Sequence, residues 1–370
     1  MRANGVAAMV AAILVVLFSS ANAAATTPSF LRFRGGVTAA MPKAVEKQII
    51  QDDALKLMEA LRQGVLSAED LCKNSDTAMH LACRYGASNC LQALLSEPSF
   101  EMDVLRETDG VTPLMTASQG GHAACVRLLL GAGAKVNLQE LTAGTPALHY
   151  AVRWGHLQCL EALLAAPGVD VNLARHKDGV SALHVAAFNG QDACVTALLK
   201  ARANAAQRSM EHLSALDYAC REGLAGTVAL LLKSNAAKEV GPVELGGTAP
   251  IHWAATGGAK GLAEAGHVGC LQALLAAGGH PDLLRTRDGS SALHYAAIGN
   301  MRFSNEECVR VLLEGAGVTK LAQWVVCSQR SRFLTISCSQ YFAQNRCYPT
   351  PWLTVRLGRW RRPKPTTGLG

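Results

Sequence analysis

Five histidines recur at similar intervals, at positions 80, 149, 184, 252 and 294, and so many placed imidazoles raise the question of a metal. The cysteines raise it too. Of twelve in the chain, six stand at a second recurring position (Cys90, Cys125, Cys159, Cys194, Cys270 and Cys308), and Cys83 and Cys220 share a third. Zinc would need several such donors within about 2.0–2.3 Å of one ion, and a disulfide would need two Cα atoms within about 7 Å. Two glycine-rich stretches, Gly131-Ala132-Gly133-Ala134-Lys135 and Gly257-Gly258-Ala259-Lys260-Gly261, invite a phosphate reading. Neither follows a strand or ends in the Gly-Lys-Ser/Thr that a phosphate loop needs. The chain has no Cys-x-x-Cys pair, no His-Glu-x-x-His helix and no Gly-x-Ser-x-Gly elbow. With no nucleophile and base to assemble, the expectation is a chain that is not an enzyme and takes no cofactor.

What must position these residues is a repeat. A short motif ending in His-x-Ala occurs as Ala78-Met79-His80-Leu81-Ala82, Ala147-Leu148-His149-Tyr150-Ala151, Ala182-Leu183-His184-Val185-Ala186, Pro250-Ile251-His252-Trp253-Ala254 and Ala292-Leu293-His294-Tyr295-Ala296. Two further copies, around Met115 and Asp217, replace the histidine. Successive copies are 35, 34, 35, 33, 35 and 42 residues apart. Ten residues after the motif position stand Cys90, Cys125, Cys159, Cys194 and Thr227, and an apolar Leu-Leu pair follows in every unit. Apolar residues such as Val126, Leu129 and Leu130 fall at helical spacing. Asp109-Gly110, Asp178-Gly179 and Asp288-Gly289 precede the helices and suit tight turns.

With Thr112-Pro113-Leu114, the Gly-His breaks at 121–122, 155–156 and 266–267, and the Gly131-Ala132-Gly133-Ala134 ending, the pattern resembles the ankyrin-repeat family. Seven units cover 76–318. The fold this implies is all-α: a solenoid of stacked helix-turn-helix units with short β-turn or hairpin loops. One such hairpin cannot bury its own apolar face, so neighbours must stack. Upstream, 44–64 reads as one amphipathic helix, and 44–75 as an N-terminal cap.

The stack decides the metal and disulfide questions. Equivalent positions march along it at roughly 8–10 Å per layer, the distance between packed helices, so neither the histidines nor the repeat cysteines converge. The resemblance implies that the histidine bonds backbone and ties neighbouring layers, which Met115 and Asp217 put in question at units two and five. The cysteines read as small buried thiols, which points to a reducing compartment.

The charge is uneven. Of 35 basic residues, four lie in 1–45 and nine in 319–370, and neither segment has an acid. The 22 that remain face all 28 acids, so the body is at −6 and no nucleic-acid partner is expected. Residues 1–23 read as a secretory signal: Arg2, an apolar run over 6–18 too short to span a bilayer, and Ala21-Asn22-Ala23. An uncleaved anchor is the alternative. Residues 24–43 are a linker, or a transit-like segment resembling the second part of the plastid leaders of algae with secondary plastids. The expected location is therefore the secretory route with a plastid destination, or the cytoplasm if 1–23 is no signal. No stable membrane span is expected in the mature chain. The basic tail, 319–370, departs from the repeat statistics and reads either as a membrane- or nucleic-acid-touching segment or as translated non-coding sequence.

In ankyrin folds the inner helices and hairpin tips form a concave binding face. Register places Arg84, Tyr85, Gln119, Arg153, Trp154, Phe188, Asn189, Arg221 and Glu222 on it. Aromatics and arginine dominate interface energetics. The expected partner is a protein with carboxylates around an apolar anchor. The function this implies is a non-catalytic interaction module or scaffold, with a substrate adaptor or regulatory subunit of an enzyme complex as the alternative. Insertions near 258–265 and 301–304 lengthen the turn between the helices of units six and seven.

Overall fold

A computed structural model describes residues 40–67, 75–234, 248–256, 264–285, 290–298 and 306–315, all within the compact unit Ala40–Gly370. The leader, the tail, and nearly all of both insertions lie outside the described residues, as do the side chain of His294 and Cys72, Cys327, Cys338 and Cys347.

The described residues hold sixteen α-helices in eight antiparallel pairs. These are α1 (Lys43–Ile50) with α2 (Ala54–Arg62), α3 (Ala78–Tyr85) with α4 (Ser88–Leu95), α5 (Pro113–Gly120) with α6 (Ala123–Gly131), and α7 (Ala147–Arg153) with α8 (Leu157–Leu164). The series continues with α9 (Ala182–Asn189) and α10 (Asp192–Lys200), α11 (Ala215–Glu222) and α12 (Ala225–Lys233), α13 (Pro250–Ala255) and α14 (Glu264–Ala276), and α15 (Ala292–Ile298) and α16 (Glu306–Gly315). First helices stack on first helices and second on second, so the chain forms layers. We number the seven layers from α3.

Local chemistry sets these boundaries. In layers one to six the first helix starts after an extended residue, which is Thr77, Thr112, Ser181 or Ser214 in four of them. Such side chains can accept a first-turn N–H. Pro113 and Pro250 occupy the first helical position, where no N–H is needed. Four of the first helices end on a left-handed glycine: Gly86, Gly121, Gly190 and Gly223.

The core is continuous through the stack. Ala82, Ala117, Ala151, Ala186, Ala219 and Ala254 are fully buried in the first helices, where small residues let helices approach. Second helices contribute pairs three apart, such as Val126 with Leu129 and Leu160 with Leu163. The eight described cysteines are buried, and Cys83, Cys90, Cys125, Cys159, Cys194, Cys220 and Cys270 are free. Burial pushes the Cys90 and Cys270 thiols up to about 12 and that of Cys125 to about 11.

Between layers the chain forms short fingers with little strand character; isolated bridges join Gln139 to Pro146 and Leu284 to Ser291. The fingers are laced together: Leu141 N donates to Asp109 O at 2.9 Å, Lys177 N to Ala143 O at 3.2 Å, and Met210 N to Asp178 O at 2.9 Å.

One expectation changes. The segment 44–64 is two helices rather than one. Asp52 turns the chain at φ 53°, and the Asp53 carboxylate accepts from Lys56 N to start α2. The pair stacks on α3 and α4 as any other layer does. Asp52 also reaches across, accepting from Asn89 Nδ2 at 2.8 Å and Cys90 N at 2.9 Å. An apolar stripe alone does not reveal this reversal, because both helices share the stripe's period.

Candidate interaction face

The repeated histidines hold the scaffold and leave its surface to others. His80 Nε2 donates to Val111 O at 2.8 Å, His149 to Val180 O at 3.0 Å, His184 to Leu213 O at 3.2 Å and His252 to Leu283 O at 2.9 Å. A carbonyl only accepts, so Nε2 carries the proton and Nδ1 is left to accept. It accepts the N-cap N–H of Ser181 in layer four and of Ala249 in layer six, at 3.1 Å each. In layer three the N-cap is Pro146, which has no N–H, and His149 Nδ1 is buried without a hydrogen-bond partner. Burial pulls His80, His149 and His184 down to about 4, which keeps them neutral. Met115 keeps only the local half of the arrangement, its sulfur accepting from Thr112 N at 3.4 Å. No cluster of three metal-binding side chains occurs among the described residues.

A second set of ties runs backwards. His122 Nε2 donates to Arg84 O at 3.0 Å, His156 Nε2 to Gln119 O at 3.1 Å, Gln191 Nε2 to Arg153 O at 3.4 Å, and His267 Nε2 to Arg221 O at 3.3 Å. The Gly-His break thus does more than reverse the chain. Its histidine lies over the preceding layer's glycine, and a Cβ on Gly121 would meet His156 at 2.7 Å.

The residues expected on the binding face fall in two columns at the ends of the inner helices. Arg84, Gln119, Arg153, Phe188 and Arg221 stand seven residues after their N-caps, and Tyr85, Trp154, Asn189 and Glu222 stand eight after. Gln119, Arg153 and Asn189 are exposed, as are Tyr85 (50%), Trp154 (56%) and Phe188 (39%). Arg84, Arg221 and Glu222 are half-buried.

The face is less basic than its arginines suggest. Arg84 pairs with Asp76, which has no solvent exposure and also binds Arg106 Nη1 at 2.9 Å. Arg221 lies over two rings, 4.9 Å from the Tyr218 centroid and 5.8 Å from that of Phe188, with its Nε 3.6 Å from Glu222. Phe188 and Tyr218 meet edge to face at 6.3 Å. Layers four and five are therefore joined by an aromatic–arginine cluster. Of the three arginines, only Arg153 has no carboxylate within ion-pair distance among the described residues.

One column escaped the sequence reading. The middle residue of His-x-Ala stands one helical turn before the Arg84 column, on the same side of the helix. It carries Tyr150, Val185, Tyr218, Trp253 and Tyr295 in layers three to seven. Burial raises the Tyr150 phenol, and Tyr295 Oη accepts from Arg285 Nη1 at 2.7 Å. The signal was legible: four of the seven residues at one register are aromatic in a chain that is 5% aromatic. The fingers add exposed apolar tips, Leu141 seated over Gly110 and Met210 over Gly179.

Stacked helix pairs, laced fingers and a row of exposed helix ends define a repeat scaffold that presents a surface. Family models described as ankyrin repeats match 35–140, 98–175, 148–241, 183–265 and 288–321, and the chain belongs to the ankyrin-repeat family. Ankyrin repeats are protein–protein interaction modules. The first match begins ahead of α1, in keeping with α1 and α2 stacking as a layer. Among solved structures, the human ASB11 ankyrin repeat domain is 27% identical with a TM-score of 0.52; the match covers 64% of this chain and 98% of that one. The ankyrin repeat domain of Bcl-3 shares the fold at 24% identity and a TM-score of 0.53, over 65% of this chain and 99% of that one. A protein of Oryza sativa subsp. japonica named "Probable E3 ubiquitin-protein ligase XBOS31" is 38% identical over 90 residues, which are 24% of this chain and 20% of that protein. The chain spans about a fifth or less of the length of the curated relatives it matches. No helix among the described residues is long and apolar enough to cross a membrane.

Proposed function

We propose that this chain is a non-catalytic binding module or scaffold whose partner seats on the inner-helix face of layers three to five. One observation carries the reading: Arg153, exposed and without an ionic partner among the described residues, stands beside the exposed Trp154, with Phe188 exposed in the next layer. The partner that fits is a protein segment carrying a carboxylate next to an apolar side chain. The carboxylate meets the fork of Arg153 and the apolar group covers the indole. Tyr150 and Val185 add half-buried surface one turn away. The similarity to part of a protein named as a probable ubiquitin ligase supports an adaptor role, in which this face selects the protein delivered to an enzyme.

The test starts from a partner captured on the immobilised full-length protein and confirmed by titration. Trp154→Ala is expected to weaken binding by more than about 1–2 kcal/mol, as truncation of an interface anchor does, and to leave the melting temperature unchanged. Arg153→Ala should weaken binding and flatten its dependence on salt. Unaltered affinity in both variants would move the site away from these layers.

A further inference from the structure

In layers one, three and four the link to the next layer is made by an imidazole Nε2–H donating to the carbonyl just before the next N-cap. Layer five has Asp217 instead. Its Oδ2 takes over the task of Nδ1, accepting from Ser214 N at 2.9 Å and Ser214 Oγ at 2.8 Å. Its Oδ1 is buried and has no hydrogen-bond partner, in a residue only 2% exposed. By register the carbonyl across the seam is that of Thr248, just before the N-cap Ala249. An ionised carboxylate cannot donate to a carbonyl, so two acceptors stand where the other layers have a donor and an acceptor. Arg208 gives little relief. Its Nη1 is 3.8 Å from Asp217 Oδ2 and donates to His212 O at 2.9 Å.

We propose that the junction between layers five and six is proton-gated: Asp217 closes it by taking up a proton and donating Oδ1–H across the seam, and loosens it when ionised. Atoms balance without further groups. A solvent proton binds Oδ1, the acid becomes neutral, and Oδ2 keeps its bonds to Ser214. The electrostatics agree, since burial raises the Asp217 carboxyl above the ordinary range even against Ser214, Arg208 and Arg221. A carboxyl raised on folding contributes stability that is whole below its unfolded pKa and is lost as pH rises through the folded one.

The other groups on the packed elements leave this window open. His184 on α9 is held near 4, burial lowers His252 on α13, and burial raises the thiols of Cys220 on α11 and Cys270 on α14. Tyr218 and Arg221 share α11 with Asp217, and Asp178 belongs to the finger before layer four. His267 crosses the same junction from α14, its Nε2 donating to Arg221 O at 3.3 Å.

Hydrogen exchange of the full-length protein tests it, reading α13 against α7 as an internal reference, from about pH 4.5 to about pH 8. Relative protection of α13 should fall with rising pH, by about tenfold for each unit by which folding raises the Asp217 carboxyl. Asp217→Asn supplies a permanent donor beside an acceptor. It should hold α13 at the low-pH level throughout. Equal pH dependence in wild type and Asp217→Asn, or weaker protection of the variant at about pH 7.5, overturns the proposal. If Asp217→Asn does not fold, Asp217→His restores the tie used elsewhere and should protect α13 above wild type at about pH 7.5. No gain there overturns it as well.

Discussion

Asp76 stands one residue before an N-cap, where other layers carry Val111, Val180 or Leu213, and it has no solvent exposure. It binds Arg84 from its own layer and Arg106 from the next finger, and Arg106 in turn grips Asp109 with Nε at 2.7 Å and Nη2 at 2.6 Å. Removing the shared carboxylate leaves Arg106, only 14% exposed, short of one partner. Breaking a buried pair from one side costs about 3–5 kcal/mol; because Arg84 is partly exposed and Arg106 keeps Asp109, Asp76→Ala should cost about 3 kcal/mol in urea titration. Glu107→Ala, at the exposed tip of the same finger, should stay within about 0.5 kcal/mol. A loss at Asp76 as small as that at Glu107 would show that the network contributes little. Sequence placed Arg84 on the face by register and could not see this anchor. Asp76 sits among small polar residues that read as a helix cap, and its second partner lies 30 residues away.

At the scale of the helix pair, the turn between helices was legible and its second role was not. Gly121 ends α5 at φ 76°, and the ring of His156 lies where its Cβ would be. Gly133 follows α6 at φ 95° with nothing within 4 Å of a Cβ. Left-handed backbone costs an L-residue roughly 1–2 kcal/mol, so alanine should destabilise at both sites. Only at Gly121 must His156 also give way and lose its bond to Gln119 O, which adds about 0.5–1.5 kcal/mol. Chemical denaturation should therefore rank Gly121→Ala as the more damaging; equal losses would mean that the backward tie is negligible. The motif showed glycine followed by histidine in one unit. That this histidine answers to the glycine of the unit before it depends on stacking, which a single unit's sequence does not display. The same limit hid the break in 44–64, where Asp52 does what glycine does elsewhere.

Across the whole molecule the period gave seven of the eight stacked pairs, missing α1 with α2, which lack the motif, and it gave the burial of the cysteine column. It also ruled out convergence of the histidines. What it left out was the cost of keeping those histidines neutral. His80, His149 and His184 are held near 4 by burial, while an unfolded imidazole titrates near 6.5. The unfolded chain therefore binds more protons between these values, and stability falls as pH drops from about 6.5 to about 4. Asp109 and Glu140, whose carboxyls are held below the ordinary range, act only further down. The urea midpoint should decline across the first window before those carboxylates contribute. A midpoint that holds steady from about pH 7 to about pH 4.5 would contradict the buried neutral state. Asp217 responds with the opposite sign, so mild acid should tighten one junction while weakening the array.

The backward ties all end on main-chain oxygen, those of Arg84, Gln119, Arg153 and Arg221. Every amino acid supplies that oxygen. At these positions the peptide group holds the next layer, and in Gln119 and Arg153 the exposed side chain projects from the same residue. Inheritance can therefore rewrite such a position, swapping cation for amide or ring, without a matching change in the side chain that leans on it, His156 on Gln119 and Gln191 on Arg153. New recognition can arise by single substitutions on a scaffold that does not change.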